Sequence, residues 1–186
     1  MLGIAGAPGA GKTTLATWLA AHVGADGGEV AYVPMDGFHL AQHELVRLGR
    51  AERKGAPDTF DAYGFVALLR RLRRGDEPVV YAPAFDHGRN EPLAGAIGVP
   101  RSTKLVIVEG NYLLLDQDPW AAVKDLLDDA WYVDIDDETR RERLIARHVA
   151  SGRPPAAATA WALGPDERNA EIIQASRERA DYLVKP

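Results

Sequence analysis

Residues 6–13 read GAPGAGKT, a Gly-x-x-x-x-Gly-Lys-Thr string whose residue types suit the holding of a polyphosphate. Gly6, Gly9 and Gly11 let the backbone wrap closely, so the loop Gly6, Ala7, Pro8, Gly9, Ala10, Gly11 forms an anion-binding nest. Lys12 is spaced to reach the β and γ phosphates, and the Thr13 hydroxyl, followed by Thr14, is placed to ligate the accompanying Mg2+. The flanks agree, because MLGIA reads as a strand and TLATWLAAHV as a helix whose N-terminal partial charge faces the same phosphates.

Two carboxylates have matching surroundings. Asp36 follows the apolar run EVAYVPM and precedes Gly37; Glu109 ends LVIVEG and precedes Gly110. Ligands of open α/β sheets bind at the carboxyl ends of the strands. If these two strands flank the first, both acids converge on the γ-phosphate, with Asp36 as the base for an attacking hydroxyl and Glu109 as metal or substrate ligand. A turn-forming acid or helix cap is the plainer reading of each. Transition-state charge calls for further cations. Arg140, Arg143 and Arg147 recur at spacings of three and four, hence on one helix face, and Arg153 follows in a cover segment. Arg147 and Lys12 are the expected catalytic cations; a solvated face pairing with Glu138 and Glu142 is the alternative.

For an acceptor, the stretch YAPAFDHGRNEPL gathers Asp86, His87, Arg89 and Asn90 beside Tyr81 and Phe85, a mixture suited to a small, polar, hydroxyl-bearing molecule. His39 and His43 lie one turn apart without a third ligand, so they read as a partly buried polar pair, with His39 counted among the substrate-facing residues. Trp18, Trp120, Trp131 and Trp161 read as packing residues, Trp161 within contact range of a nucleotide.

These residues need a scaffold, and the apolar patterning supplies an α/β one. Strands are predicted near 2–5, 29–34, 78–81, 104–109 and 130–135, with a short one near 182–184. Helices are predicted at 12–23, 40–48, 61–74, 120–128, 137–150 and 165–177. LVIVE, apolar throughout, is a central parallel strand beside the first. The Pro- and Gly-rich stretch 82–103 reads as a long functional substrate loop, and the irregular stretch from Ser151 to Gly164 as part of a mobile lid spanning 147–164. The expectation is a single domain over residues 1–186 with a five-stranded parallel sheet, helices on both faces and a lid.

Composition narrows the classes. The chain of 186 residues is 46% apolar and 26% charged, as ordinary globular proteins are. It contains no cysteine, which removes disulfides and thiolate chemistry. Its net charge of −5 disfavours nucleic acid as a partner. No apolar run is long enough for a membrane span, and no leader pattern opens the chain, so a cytoplasmic location is expected. A homodimer is compatible with the sequence.

Several of these strings together resemble the phosphoribulokinase, uridine kinase and pantothenate kinase group of P-loop kinases. GAPGAGKTT looks like its nucleotide loop, PMDGFHL like the segment of its catalytic aspartate, here Asp36, and LVIVEGNYLLL like its strand and glutamate, here Glu109. KGAPDTFD is similar to a pantothenate kinase segment, which puts Lys54, Gly55, Pro57 and Asp61 near the substrate. DIDDETRRERLIARHVASGR resembles the uridine kinase lid, with Arg143, Arg147 and Arg153 as lid arginines. SRERADYLV resembles the segment bordering adenine, pointing to Arg177 and Arg179. Within the group, a bacterial branch labelled nucleoside kinase-like or fructose transport system kinase is the nearest likeness, and PAFDHGRNEP matches neither substrate segment of the better-known members. The resemblance implies ATP and Mg2+ as cofactors and phosphoryl transfer to a hydroxyl of a nucleoside, sugar or pantothenate-like metabolite. The rival is a nucleotide-hydrolysing switch or assembly ATPase, against which stands the absence of an Asn-Lys-x-Asp string and the length of the substrate loop.

Overall fold

A computed structural model describes residues 1–24 and 29–185. In chain order its strands are β1 (Leu2–Ala5), β2 (Val30–Pro34), β3 (Val79–Asp86), β4 (Glu91–Pro100), β5 (Leu105–Glu109), β6 (Asp129–Val133) and β7 (Tyr182–Val184). Its helices are α1 (Lys12–Gly24), α2 (Gln42–Arg47), α3 (Ala62–Arg74), α4 (Ala121–Lys124), α5 (Asp137–Ala150), α6 (Pro155–Ala162) and α7 (Pro165–Ala175). The sheet is parallel throughout, in the order β2-β5-β1-β6-β7.

The period-two alternation of the central strands sorts side chains to two cores. Val106 and Val108 of β5 face a core that contains Val33, Phe65, Leu69, Tyr112 and Trp120, under α3. Ile107 points the other way, with Ile4 and Ala16, under α1. A strand buried on both faces must be apolar throughout, which is why LVIV carries no alternation of its own.

Five parallel strands are thus present, with a membership different from the expected one. The run near 78–81 does not join the sheet. It begins β3, which pairs antiparallel with β4 from Val79 opposite Pro100 to Asp86 opposite Glu91, so the expected loop over 82–103 is a β-hairpin. The signals are an alternation of apolar and small residues and a turn chemistry within DHGRN: the Asp86 carboxylate accepts from the Gly88 and Arg89 N–H groups, and Asn90 takes φ 55°. The fifth sheet strand is the terminal β7, beside β6. Nor does β2 flank β1, since β5 lies between them; Pro34 and Ile4 stand on either side of Glu109.

Further differences are local. The helix expected over 120–128 extends only over Ala121–Lys124, and the cover from Ser151 to Gly164 is largely α6, opened by Pro154 and Pro155. Trp120 is buried, whereas Trp18 is 54% exposed and stacks on His22. Gly37 is needed for close approach rather than for a turn: a Cβ there would stand 2.4 Å from the Pro83 carbonyl oxygen, so hairpin backbone rests directly on it.

The base of α5 is held by ions. Arg140, expected on the phosphate-facing side, is 1% exposed and hydrogen-bonds Asp137 at 3.1 Å and Glu167 of α7 at 2.6 Å; Arg141 donates to the same Glu167 carboxylate. Hydrogen bonds from Arg141 first, and from Arg140, hold the Glu167 pKa down at about 2. A pKa depressed by folding contributes stability that is complete above the unfolded value of about 4.3 and lost as pH falls toward 2. Glu167→Gln is expected to cost about 3 kcal/mol at neutral pH, because it leaves the buried Arg140 charge with Asp137 as its one remaining carboxylate partner. Thermal unfolding followed from pH 7 to 2 should show a lower midpoint and a flatter acid limb; an acid limb identical to that of the parent would count against the clamp.

Candidate active site

The loop between β1 and α1 is built against two neighbours. Gly9 has φ +85° and no room for a side chain, since a Cβ would stand 2.6 Å from the Arg140 carbonyl of α5. A Cβ at Gly6 would stand 3.0 Å from the Val133 carbonyl at the end of β6. The turn closes with Ala10 N–H donating to the Ala7 carbonyl at 3.1 Å, and α1 starts at Lys12. The Lys12 ammonium is 7% exposed and donates to the Ala7 carbonyl at 3.0 Å. Burial lowers its pKa, while the nearby carboxylates of Glu109 and Asp36 oppose that shift and Arg147 adds to it.

Glu109, 7% exposed, terminates the central strand with its Oε2 accepting two hydroxyls, Thr13 at 3.3 Å and Tyr32 at 2.8 Å. Burial raises its pKa; Lys12 and the two hydroxyl donors pull it back. Thr13 and Thr14 are exposed on the first turn of α1. Hydroxyl and carboxylate oxygens gathered in this way are hard donors that fit Mg2+, which takes few protein ligands and completes its shell with phosphate and water. Among the described residues no cluster of three or more His, Cys, Asp or Glu would hold a metal unaided. His39 and His43 form no such pair: His43 is exposed, whereas His39 is largely buried.

Asp36 lies in the 3₁₀ turn Met35–Phe38 immediately after β2, with its side chain 46% exposed. His39 Nδ1 donates to the Asp36 carbonyl at 2.9 Å, which leaves Nε2 as the free acceptor of the neutral ring. The ring lies between Phe60, its centroid 4.0 Å away, and Phe85, at 4.8 Å, tilted against both, and burial lowers its pKa. Lys54 Nζ donates to the Asn90 carbonyl at 2.8 Å and approaches Gln42 Oε1 at 3.5 Å. Asp86 is occupied in forming the hairpin turn and pairs with Arg89 at 3.5 Å; His87 and Arg89 are exposed at the tip.

The arginines divide into two sets. Arg143 reaches the phosphate loop, its Nη1 3.9 Å from where a Gly11 Cβ would stand, and Arg147 is exposed within electrostatic range of Lys12. Arg153 lies 4.4 Å from the Trp161 ring centroid, with Nη1 buried and unpartnered. Arg177 and Arg179 are engaged internally, the first with Asp134 and the second with the Leu114 carbonyl at 2.8 Å. An open cavity of about 400 Å³, lined by Asp134, Ile135, Asp136 and Lys185, lies past the ends of β6 and β7.

Two residues escaped the sequence reading. Glu91 accepts from the Gln42 N–H, joining β4 to α2, and nothing local announces it. Tyr32 lies opposite Ile107 in the β2–β5 register and so shares the face of Glu109; its signal, a hydroxyl in an apolar strand, gains meaning only once that pairing is known.

The comparisons with known proteins agree with this geometry. The model of the phosphoribulokinase/uridine kinase family matches residues 1–182. The ATP-dependent kinase-like protein notR' of Aspergillus versicolor is 38% identical over 159 residues, 81% of this chain and 92% of that protein. YggC of Escherichia coli K12 is 33% identical over 180 residues, 96% of this chain and 74% of that one. A crystal structure from Silicibacter sp. TM1040, described as a putative fructose transport system kinase, superposes with a TM-score of 0.91 at 39% identity, covering 98% of this chain and 88% of that one. With a phosphate loop, a strand-end acid on each of β2 and β5 and this breadth of likeness, the chain belongs to the phosphoribulokinase/uridine kinase family and is an ATP-dependent P-loop kinase.

Proposed function

We propose that this kinase transfers the γ-phosphoryl group of ATP to a hydroxyl of a small metabolite, a nucleoside, a sugar or a pantothenate-like alcohol. The observation that carries the reading is the convergence of Lys12, Thr13, Glu109 and Asp36 at one edge of the sheet. The nest of Gly6 to Gly11 and Lys12 grip the β and γ phosphates, and Arg143, Arg147 and Arg153 approach from α5 and the segment after it. The open cavity past β6 and β7, lined by Asp134, Ile135, Asp136 and Lys185, is assigned to the nucleoside of ATP. Thr13 and Glu109 would hold Mg2+, which when bound would supply neutralisation of charge on the phosphate oxygens.

On the acceptor side, Asp36 accepts the proton as the hydroxyl oxygen bonds to the γ-phosphorus. The bond from that phosphorus to the β,γ-bridging oxygen breaks, ADP leaves, and the phosphorylated acceptor remains. We assign His39, Lys54, His87 and Arg89 to the acceptor side; of these, His39, Lys54 and His87 share one electrostatic neighbourhood with Asp36.

Asp36→Asn is expected to retain affinity for an ATP analogue while lowering kcat by about 10² to 10⁴-fold, measured as ADP release with a panel of alcohols. Unchanged turnover on a verified acceptor would remove Asp36 from the chemistry, and ADP release independent of any acceptor would favour a hydrolysing switch. Lys12→Ala should weaken binding and turnover together, seen as a lost thermal shift with the analogue. Tyr32→Phe frees Glu109 from one of its two hydroxyls; the Mg2+ concentration for half-maximal rate should rise about tenfold. An unaltered Mg2+ requirement would reduce Tyr32 to a packing residue.

A further inference from the structure

Resting on the kinase reading, we infer that the acceptor carries a negative group, a carboxylate or a phosphate, seated against the Lys54 ammonium, while its hydroxyl faces Asp36.

Lys54 differs from the basic residues around it. Arg47 pairs with Glu44, Arg50 and Arg53 with Asp58, and Arg89 with Asp86. Among the described residues no carboxylate oxygen lies within 4.0 Å of Lys54 Nζ; its hydrogen-bond partners are the Asn90 carbonyl and, at 3.5 Å, the Gln42 amide oxygen. The nearest carboxylate acting on it, Glu91, is hydrogen-bonded to the Gln42 N–H at 3.0 and 3.2 Å. A half-buried cation without a counter-ion is unfavourable, and burial lowers the Lys54 pKa accordingly. An incoming anion relieves that penalty; a neutral nucleoside or polyol does not.

The ammonium is also held in place. Gly55 N–H donates to the Thr59 hydroxyl, which donates on to the Ala56 carbonyl, while the Gly55 carbonyl accepts the buried Tyr112 hydroxyl. Leu40 N–H to the Thr59 carbonyl and Asp61 N–H to the Phe38 carbonyl join the segment to the turn that bears Asp36. Lys54 rests 5.4 Å above the Phe85 ring, the same ring that packs at a tilt against His39, and Lys54, His87 and Asp36 all bear on the His39 charge. One wall of rings therefore has the base at one end and an unpaired cation along it. That cation is a specificity element, built in where a charge on the acceptor is to be read.

The test uses the whole protein saturated with a non-hydrolysable ATP analogue and Mg2+, titrated calorimetrically with two matched pairs, glycerate against glycerol and fructose 6-phosphate against fructose. At least one anion should bind tenfold or more tightly than its uncharged counterpart. Preference for glycerate identifies a carboxylate, and preference for fructose 6-phosphate a phosphate. The preference should vanish in Lys54→Met and persist in Lys54→Arg, with affinity for the ATP analogue reporting that each variant is folded. Equal or tighter binding of the uncharged partners, no binding of either anion, or a preference that survives in Lys54→Met overturns the inference. Should the variants fail to fold, the comparison in the parent protein still decides. Failure of the kinase reading appears elsewhere, as ADP release insensitive to Asp36→Asn and to any acceptor.

Discussion

Two opposite charges are buried at the carboxyl edge of the sheet, and the architecture depends on keeping them there. Lys12 and Glu109 are each almost inaccessible to water, and burial drives each toward its neutral form. What keeps them tolerable is mutual attraction together with hydrogen bonds from Thr13 and Tyr32 to the acid and from Lys12 to the Ala7 carbonyl. Such a site is poised rather than satisfied: a polyphosphate and its cation supply the partners that the folded chain only sketches. The parallel register that flanks Glu109 with Ile4 and Pro34 is what brings the two charges together.

On the proposed reading, the site has a donor half and an acceptor half. The donor half hangs on β1, β5, β6 and α5, all rooted in the sheet or clamped by the Arg140–Glu167 pair. The acceptor half is made of the turn after β2, the loop around Lys54 and the hairpin, and it is joined internally by backbone hydrogen bonds and by the contacts of Phe60 and Phe85 with His39. Asp36 is the joint between them, fixed to β2 yet exposed.

How much of this could be read from the residues follows from how local each signal is. The phosphate loop, the strands that end at the two acids and the helix carrying Arg143 and Arg147 are contiguous strings that form as elements near their expected bounds, although β2 lies beyond β5 rather than beside β1. The hairpin was legible only in part. Its turn is encoded in DHGRN, but strand pairing is a long-range property, and a Pro-rich strand half exposed to solvent looks like a loop. Arg140 failed for another reason: helical spacing assigns a face, and it cannot say that Glu167 from a later helix will occupy it. Tyr32 and Glu91 act through partners 77 and 49 positions away, beyond any local pattern.

The contact between Gly37 and Pro83 bears on how such proteins diversify. Because backbone meets backbone there, the root of the hairpin is bound to the turn that presents Asp36, and substitutions at either are penalised together. The side chains of the tip, from His87 to Asn90, are exposed, although its backbone is fixed by the Asp86 turn and the positive φ of Asn90. On the proposed reading of the acceptor side, selection can exchange the exposed side chains of the tip, and alter what they meet, without moving Asp36 relative to the phosphate loop. One lineage could thus explore many acceptors while its chemistry stays unchanged.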